Sequence, residues 1–493
     1  MKNKKIILLT IPLIILTLLV IGVTYAYYEL NSTGESSSTM LVGGANITAN
    51  YTMSNEIYVT GALPSNNVLA YKDFSVKYTN TSNTEYKIYL KAEIDYNSFT
   101  DVENDGVLYY DIYSGSSHNT LVQAKKQFPA ITYGKEVLYE IPIPANSNST
   151  TYYRINFYFP ESDTKFQNKN GGLTLAGGVV IENVPTGDYN PTLVKYISSM
   201  DVESNGLEMD DTDDQNLRYV GATPNNYISF NNETWRIIGI FNVYNNETNK
   251  TEKLVKIIRN ESLGYYSWDT SDSSINYGCG INEWSQADLM KELNNDYLDT
   301  SKTSGTTTWY NGRNNTKDGS YDYSKNIKSG YIDKIANVRW NLGGAAYGES
   351  AINTYNQERG TTQVSNPSDG ITRTNTWNGK IALMYPSDYG YASTDTDCRS
   401  NLHFYANSVY SCKNNNWMFN STNQWTLSPN SGNATRVFGV SSGGFVSNYF
   451  AYDTFGVRPA LFLKSDVLIT GGTGESIEKA YVIEWCRSEA FGV

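Results

Sequence analysis

WTLSPNSGNATRVFGVSSGGFVSNYFAYDTFGVRPALFLK (residues 425–464) is built mainly from Ser, Gly, Asn and aromatic residues and then closes on the dense GVRPALFL. Ser441, Ser442, Gly443 and Gly444 punctuate it, so RVFGV and FVSNYF read as two strands about a hairpin turn. The letters GVSSG at 439–443 also fit a nucleophile elbow. That device needs a helix after the serine and a later histidine, whereas a strand-like run follows and no histidine lies beyond His403. GVRPALFL reads as the next strand, with Val457, Pro459, Leu461 and Leu463 on one face and Arg458 and Lys464 on the other. Pro459 has no N–H for a ladder and is expected at an edge or bulge. The segment is mainly wall, and any ligand contact on it is expected at Arg436, Phe445, Tyr449 and Tyr452.

Upstream, WRIIGIF (235–241) and KLVKIIR (253–259) are apolar strands joined by the polar VYNNETNKTE, a hairpin with a long tip. EWSQADLMKELNNDYL carries the clearest helix signal in the chain. Ser285 and Asp288 fit a capping box, Trp284 can staple onto Leu289, and Ala287, Met290 and Leu293 share a face. KIALMYP follows as a buried strand. A domain spanning 217–483 results, with a short tail at 484–493.

Toward the N-terminus, alternation takes over between about 40 and 190. Phe74, Val76 and Tyr78 share a face, as do Tyr86, Ile88, Leu90, Ala92 and Ile94, and Tyr153, Ile155, Phe157 and Phe159. Turn signals such as TNTSN, PANSNS and NKNGG separate these strands, and no convincing helix interrupts them, so the region reads as an all-β sandwich. Between the two domains the acidic run over 191–216 reads as a solvated linker, although Asp210, Asp211, Asp213 and Asp214 invite a calcium reading. DVENDG at 101–106 imitates the start of an EF-hand loop but has Ile112 at the twelfth position.

The first 28 residues predict the compartment. MKNKK precedes an uncharged run from Ile6 to Tyr28, about the ~20 residues a membrane-spanning helix needs. Lys2, Lys4 and Lys5 place the N-terminus inside and the bulk of the chain outside the cell. Cleavage after Ala26, giving a secreted protein, is the rival expectation. Four cysteines suit an oxidising compartment, and Cys398 with Cys412 would close a short loop worth ~3 kcal/mol. The pairing of Cys279 and Cys486 stays open.

Composition excludes several classes. A net charge of -12 without a basic stripe after the N-terminus argues against nucleic acid. With only His118 and His403 and no C-x-x-C pair, no metal centre is expected. Neither a P-loop, a dinucleotide fingerprint nor H-E-x-x-H occurs, so no cofactor and no catalytic residue are assigned. A glycosidase-type carboxylate pair is a three-dimensional fact that sequence leaves open. N-x-[ST] sequons, Asn31 and Asn433 among them, arise by chance in so Asn- and Thr-rich a chain.

Two resemblances add to this. VTYAYY, the alternating strands and NFYFPESDTKFQNKNGG resemble the camelysin and TasA family of Gram-positive surface and fibre proteins over roughly the first third of the chain. NNYISFNNETWRIIGIF, INEWSQADLMKELNNDYL, KIALMYPSDYGYA, the segment 414–465 and ITGGTGESIEKAYVI are similar to a domain of unknown function from exported Firmicutes and Mollicutes proteins. That domain looks like a cousin of the C-type-lectin and formylglycine-generating-enzyme fold, which implies an α+β head. The cysteine pair of those enzymes and the E-P-N, Q-P-D and W-N-D motifs of calcium lectins are absent, so neither activity carries over. The expected whole is a transmembrane helix, a β-sandwich stalk and an α+β, C-type-lectin-like head. Its expected function is non-enzymatic adhesion, with a glycan, mucin or surface protein as partner and the membrane held through the N-terminal helix. The alternatives are a surface-layer or fibre component and a carbohydrate-active hydrolase.

Overall fold

The computed structural model describes residues 36–42, 45–51, 55–165, 167, 171–184, 189–271, 279–364, 369–403 and 411–485. The chain divides into two compact units, Met1–Pro191 with Ser199–Asp201, and Thr192–Ser198 with Val202–Val493.

The first unit is a β-sandwich. One antiparallel sheet runs in the order Ser36–Val42, Ala45–Tyr51, Ser65–Asn80, Ser147–Phe159, Tyr109–Ser114, Thr120–Gln127. The other runs Gly134–Ile143, Tyr86–Asn97, Leu173–Glu182, Glu56–Ala62. Period-2 patterning decides what meets inside: Phe74, Val76, Ile88, Leu90, Ile155 and Phe157 are each at most 2 % exposed and share one core. Phe128 joins them edge-on to Phe157, with ring centroids 5.6 Å apart.

The second unit is built on a nine-stranded sheet whose main path is Leu207–Met209, Leu217–Tyr219, Glu233–Asn245, Lys250–Arg259, Ala460–Leu463, Ile381–Ala382. A five-stranded sheet runs Tyr265–Ser267, Thr454–Gly456, Gln424–Pro429, Arg436–Val440, Val446–Phe450. Trp235, Trp268, Trp284, Trp309, Trp340 and Trp425 are each at most 1 % exposed, and truncating such a ring costs about 3–5 kcal/mol. These side chains anchor the unit more than any helix does.

The expected fold class is corrected on two counts. The molecule is mostly β, with 46% strand and 12% helix, so the α+β, lectin-like expectation for the head gives way to a β-rich unit with short helices. Among the described residues no helix is long and apolar enough to cross a membrane; Ala351–Glu358, at eight residues, is the longest of them. Residues 1–28, on which the expected membrane span falls, lie outside the described residues. The expected single-pass localisation, with its extracellular bulk, therefore has no span in the described structure and is not carried forward.

Three local expectations also change. EWSQADLMKELNNDYL does not make one helix, because Ala287 sits at ψ 144 between a 3-10 turn, Trp284–Gln286, and the short helix Asp288–Lys291. The capping box fails because Glu283 takes the Ser285 N–H, while the Asp288 carboxylate accepts from Thr270 N and Oγ1 at 2.9 and 2.8 Å. Arg458, expected on the face opposite Val457 and Pro459, is buried as they are, since the strand Ala460–Leu463 lies between Lys250–Arg259 and Ile381–Ala382 and is covered on both faces. Pro459 falls just before that strand, where its missing N–H costs no ladder bond.

The acidic run is not a solvated linker. Leu193–Ser198 is a helix and Leu207–Met209 joins the nine-stranded sheet. Asp210 is 5 % exposed and paired with Arg218 at 2.6 Å, and Asp211 and Asp214 accept from the hydroxyls of Tyr391 and Tyr355. Cys486 and the rest of the tail from 486 lie outside the described residues.

Candidate functional site

Strand Lys250–Arg259 carries the residue on which the site is built. From Leu254 onward every position is buried, including Lys256 at 1 % exposure, within the run that sequence reading took as apolar. Lys256 stands between Gly239 on one neighbouring strand and Phe462 on the other. Gly239 is required there, because a Cβ would lie 2.3 Å from the Leu217 carbonyl oxygen. The ammonium group is ringed by Tyr385, Trp340, Phe462 and Phe241 at 4.3, 5.2, 5.6 and 5.7 Å from their centroids.

A buried charge needs a partner, and Asp388 supplies it. Its Oδ2 accepts from Lys256 Nζ at 2.5 Å and from the Tyr385 N–H at 2.9 Å, and its Oδ1 accepts from Arg218 at 3.0 Å. Arg218 continues to Asp210, giving four alternating charges in a line, none more than 5 % exposed. Burial drives the Lys256 pKa down to about 8 against the opposing pull of Asp388. Burial also pushes Asp388 up, but Lys256 and Arg218 outweigh it and hold the carboxyl below its ordinary value. Glu358, fully buried at the end of its helix, accepts from Ser387 N and Oγ at 3.0 and 2.5 Å, and burial raises it to about 7.

This network floors a cavity of about 210 Å3. Phe241, Trp340, Tyr355, Tyr385 and Phe462 give it aromatic walls, Tyr244 a further ring, and Asn242 and Asn341 two amides. Three cations, Lys256, Arg339 and Arg359, line it, and no carboxylate does. Arg359 lies flat on Tyr355, 3.3 Å from its centroid, and also reaches Glu358 at 3.3 Å. Arg339 is exposed, sits 4.1 Å over the Tyr244 ring and has no ion pair among the described residues. A second, more open hollow of about 340 Å3 is lined by Gly330, Asp333, Lys334 and Lys464 and offers no rings.

The four residues singled out from sequence line neither cavity. Arg436 and Tyr452 do come together: Arg436 covers Phe450 at 4.1 Å, Phe450 stacks on Tyr452, and Arg313 closes the far side, its guanidinium donating to the Tyr452 hydroxyl at 2.6 Å. Tyr449 instead meets Phe455 edge-on with centroids 4.5 Å apart. Phe445 closes the hairpin, its carbonyl accepting from Ser441 N at 2.8 Å. Cys398 and Cys412 are joined across a separation of 14 residues, and Cys279 has no disulfide partner among the described residues.

The buried acids Asp269, Asp288 and Glu292 form another cluster, in which burial raises Asp269 to about 7 and Glu292 to about 9. None of them lines either cavity. Sequence reading missed Lys256, Arg339 and Arg359. The signal for Lys256 was present, a cation set between the apolar pairs Leu254-Val255 and Ile257-Ile258; Arg339 and Arg359 carry none, because the fold alone brings them together.

No protein-family model matches the chain, and a search of curated proteins finds no match. The resemblances to the surface-fibre family and to the unknown-function domain therefore rest on the quoted residues alone.

Proposed function

We propose that the second unit is a non-catalytic binding head whose site is the cavity over Lys256, carried on one chain with the β-sandwich. One observation supports this above the rest: aromatic walls and two side-chain amides, Asn242 and Asn341, are gathered round a cavity the size of a small ligand. Such sites combine apolar contact area with a few orienting polar groups. Within the lining no nucleophile stands against a general base, and Lys256 is committed to Asp388 rather than presented to a substrate. The Asn341 side chain makes no hydrogen bond among the described residues, which leaves its donors and acceptor for a ligand hydroxyl. A glycan array and mucin pull-downs with the full-length chain test the proposal. Binding that is lost on Asn341→Ala and kept on Tyr452→Ala supports this site, and silence across glycans, mucin and peptidoglycan removes it.

A further inference from the structure

The charge distribution of the cavity narrows its ligand. A neutral sugar site needs rings and hydrogen bonds but no cations, whereas here three cations line one small space without a facing carboxylate. Asp388 lies behind Lys256, and Glu358 and Asp214 reach Arg359 from outside the lining, at 3.3 and 4.0 Å. Arg359 is fixed by stacking, and Arg339 lies at the surface without an acidic partner among the described residues. Guanidinium groups so placed are planar forks suited to a carboxylate.

Size and polarity set the rest. A volume of about 210 Å3 holds about seven waters at ~30 Å3 each, and it falls below the ~300–1,000 Å3 of drug-sized pockets. That is room for one ring with its substituents. The amides of Asn242 and Asn341 and the phenol of Tyr244 offer more polar groups than an aromatic acid satisfies, and the hydroxyls of a pyranose match them.

We propose that the cavity binds a single sugar ring bearing a carboxylate, a hexuronate, with Arg339 and Arg359 on the carboxylate and the two asparagines on hydroxyls. Lys256 contributes field from below without contact. The inference rests on the binding-head proposal above.

Titrations of the full-length chain, followed by tryptophan fluorescence, use glucuronate, its methyl glycoside, glucose and benzoate as probes. Glucuronate is expected to bind about tenfold or more tighter than glucose, and Arg339→Ala and Arg359→Ala each to weaken it about fivefold or more. Urea midpoints unchanged in Arg339→Ala, whose side chain is exposed, exclude misfolding as the cause. Binding of the free acid alone identifies a free metabolite, and binding of the glycoside a glycan end; either supports the inference. Glucose binding as tightly as glucuronate overturns the charge assignment while leaving the binding head intact. Benzoate binding as tightly as glucuronate overturns the sugar assignment. No response to any of the four probes overturns the hexuronate assignment, while the binding head still stands or falls on the glycan, mucin and peptidoglycan panel.

Discussion

The Lys256 ammonium donates to Asp388 Oδ2 at 2.5 Å, and neither side chain exposes more than 1 % of its surface. A pair so buried is expensive to break and cheap to replace, since removing one partner strands the other without water. Asp388→Asn is expected to destabilise the second unit by about 3–5 kcal/mol. The double change Lys256→Met with Asp388→Leu is expected to cost less than that single change. All nine tryptophans lie beyond residue 191, so urea unfolding followed by their fluorescence reads the second unit alone. A single-mutant loss within error of zero would sink the claim that this network holds the cavity floor.

Glu292 gives a pH dependence with a definite sign. Burial raises its pKa from the ordinary 4.5 to about 9, and its Oε2 has no partner among the described residues. A raised folded value means stability present below the unfolded pKa and lost as pH rises toward the folded one. Between about pH 4.5 and 9 the folded state therefore holds a proton that the unfolded chain releases. Glu292→Gln needs no such proton, so its stability relative to wild type should improve on the order of 4 kcal/mol from pH 5 to pH 8.5. Urea midpoints at both pH values check this, and an equal difference at both would contradict it.

The sandwich was legible because its information is local. Alternation at Phe74, Val76 and Tyr78 names a buried face without knowledge of what covers it. The turn at Ser441–Gly444 was legible for the same reason, the chain reversing there with Ser441 N donating to the Phe445 carbonyl. The failures lie where long-range partners override local preference. Asp288 was taken as a cap and is held by Thr270, 18 residues away, and Arg458, read only as opposite in face to Val457 and Pro459, is buried and held by carbonyls from two other segments. The cavity was illegible throughout, because Lys256, Arg339 and Arg359 are brought together by two strands and a helix with no spacing in common.

The Cys398–Cys412 bond, across a separation of 14 residues, ties the helix Thr396–Ser400 to the 3-10 turn Ser411–Lys413. By chain-entropy reasoning the loop it closes contributes about 3 kcal/mol, through the unfolded state. Replacing both cysteines with serine should lower the urea midpoint of the tryptophan signal accordingly. The circular dichroism transition of the sandwich, which has no cysteine, should stay unmoved. A double variant as stable as wild type would show that the bond adds nothing to the fold.

Arg458 separates the geometry of a guanidinium from its charge. It is 4 % exposed, and its Nε donates to the Arg259 carbonyl at 2.8 Å while one terminal nitrogen reaches the Met418 carbonyl and Gln424 Oε1, each at 3.1 Å. Lysine keeps the charge but concentrates its donors at one point, so it cannot span acceptors on three segments. Arg458→Lys is therefore expected to cost about 2 kcal/mol, the penalty of a buried acceptor left unpaired. Arg436→Lys, at the half-buried edge where the side chain meets Asn448 and Phe450, should cost under about 1 kcal/mol. Both are measured by the same fluorescence-monitored unfolding. Equal losses in the two variants would overturn the claim that the buried fork and its three acceptors fix this strand.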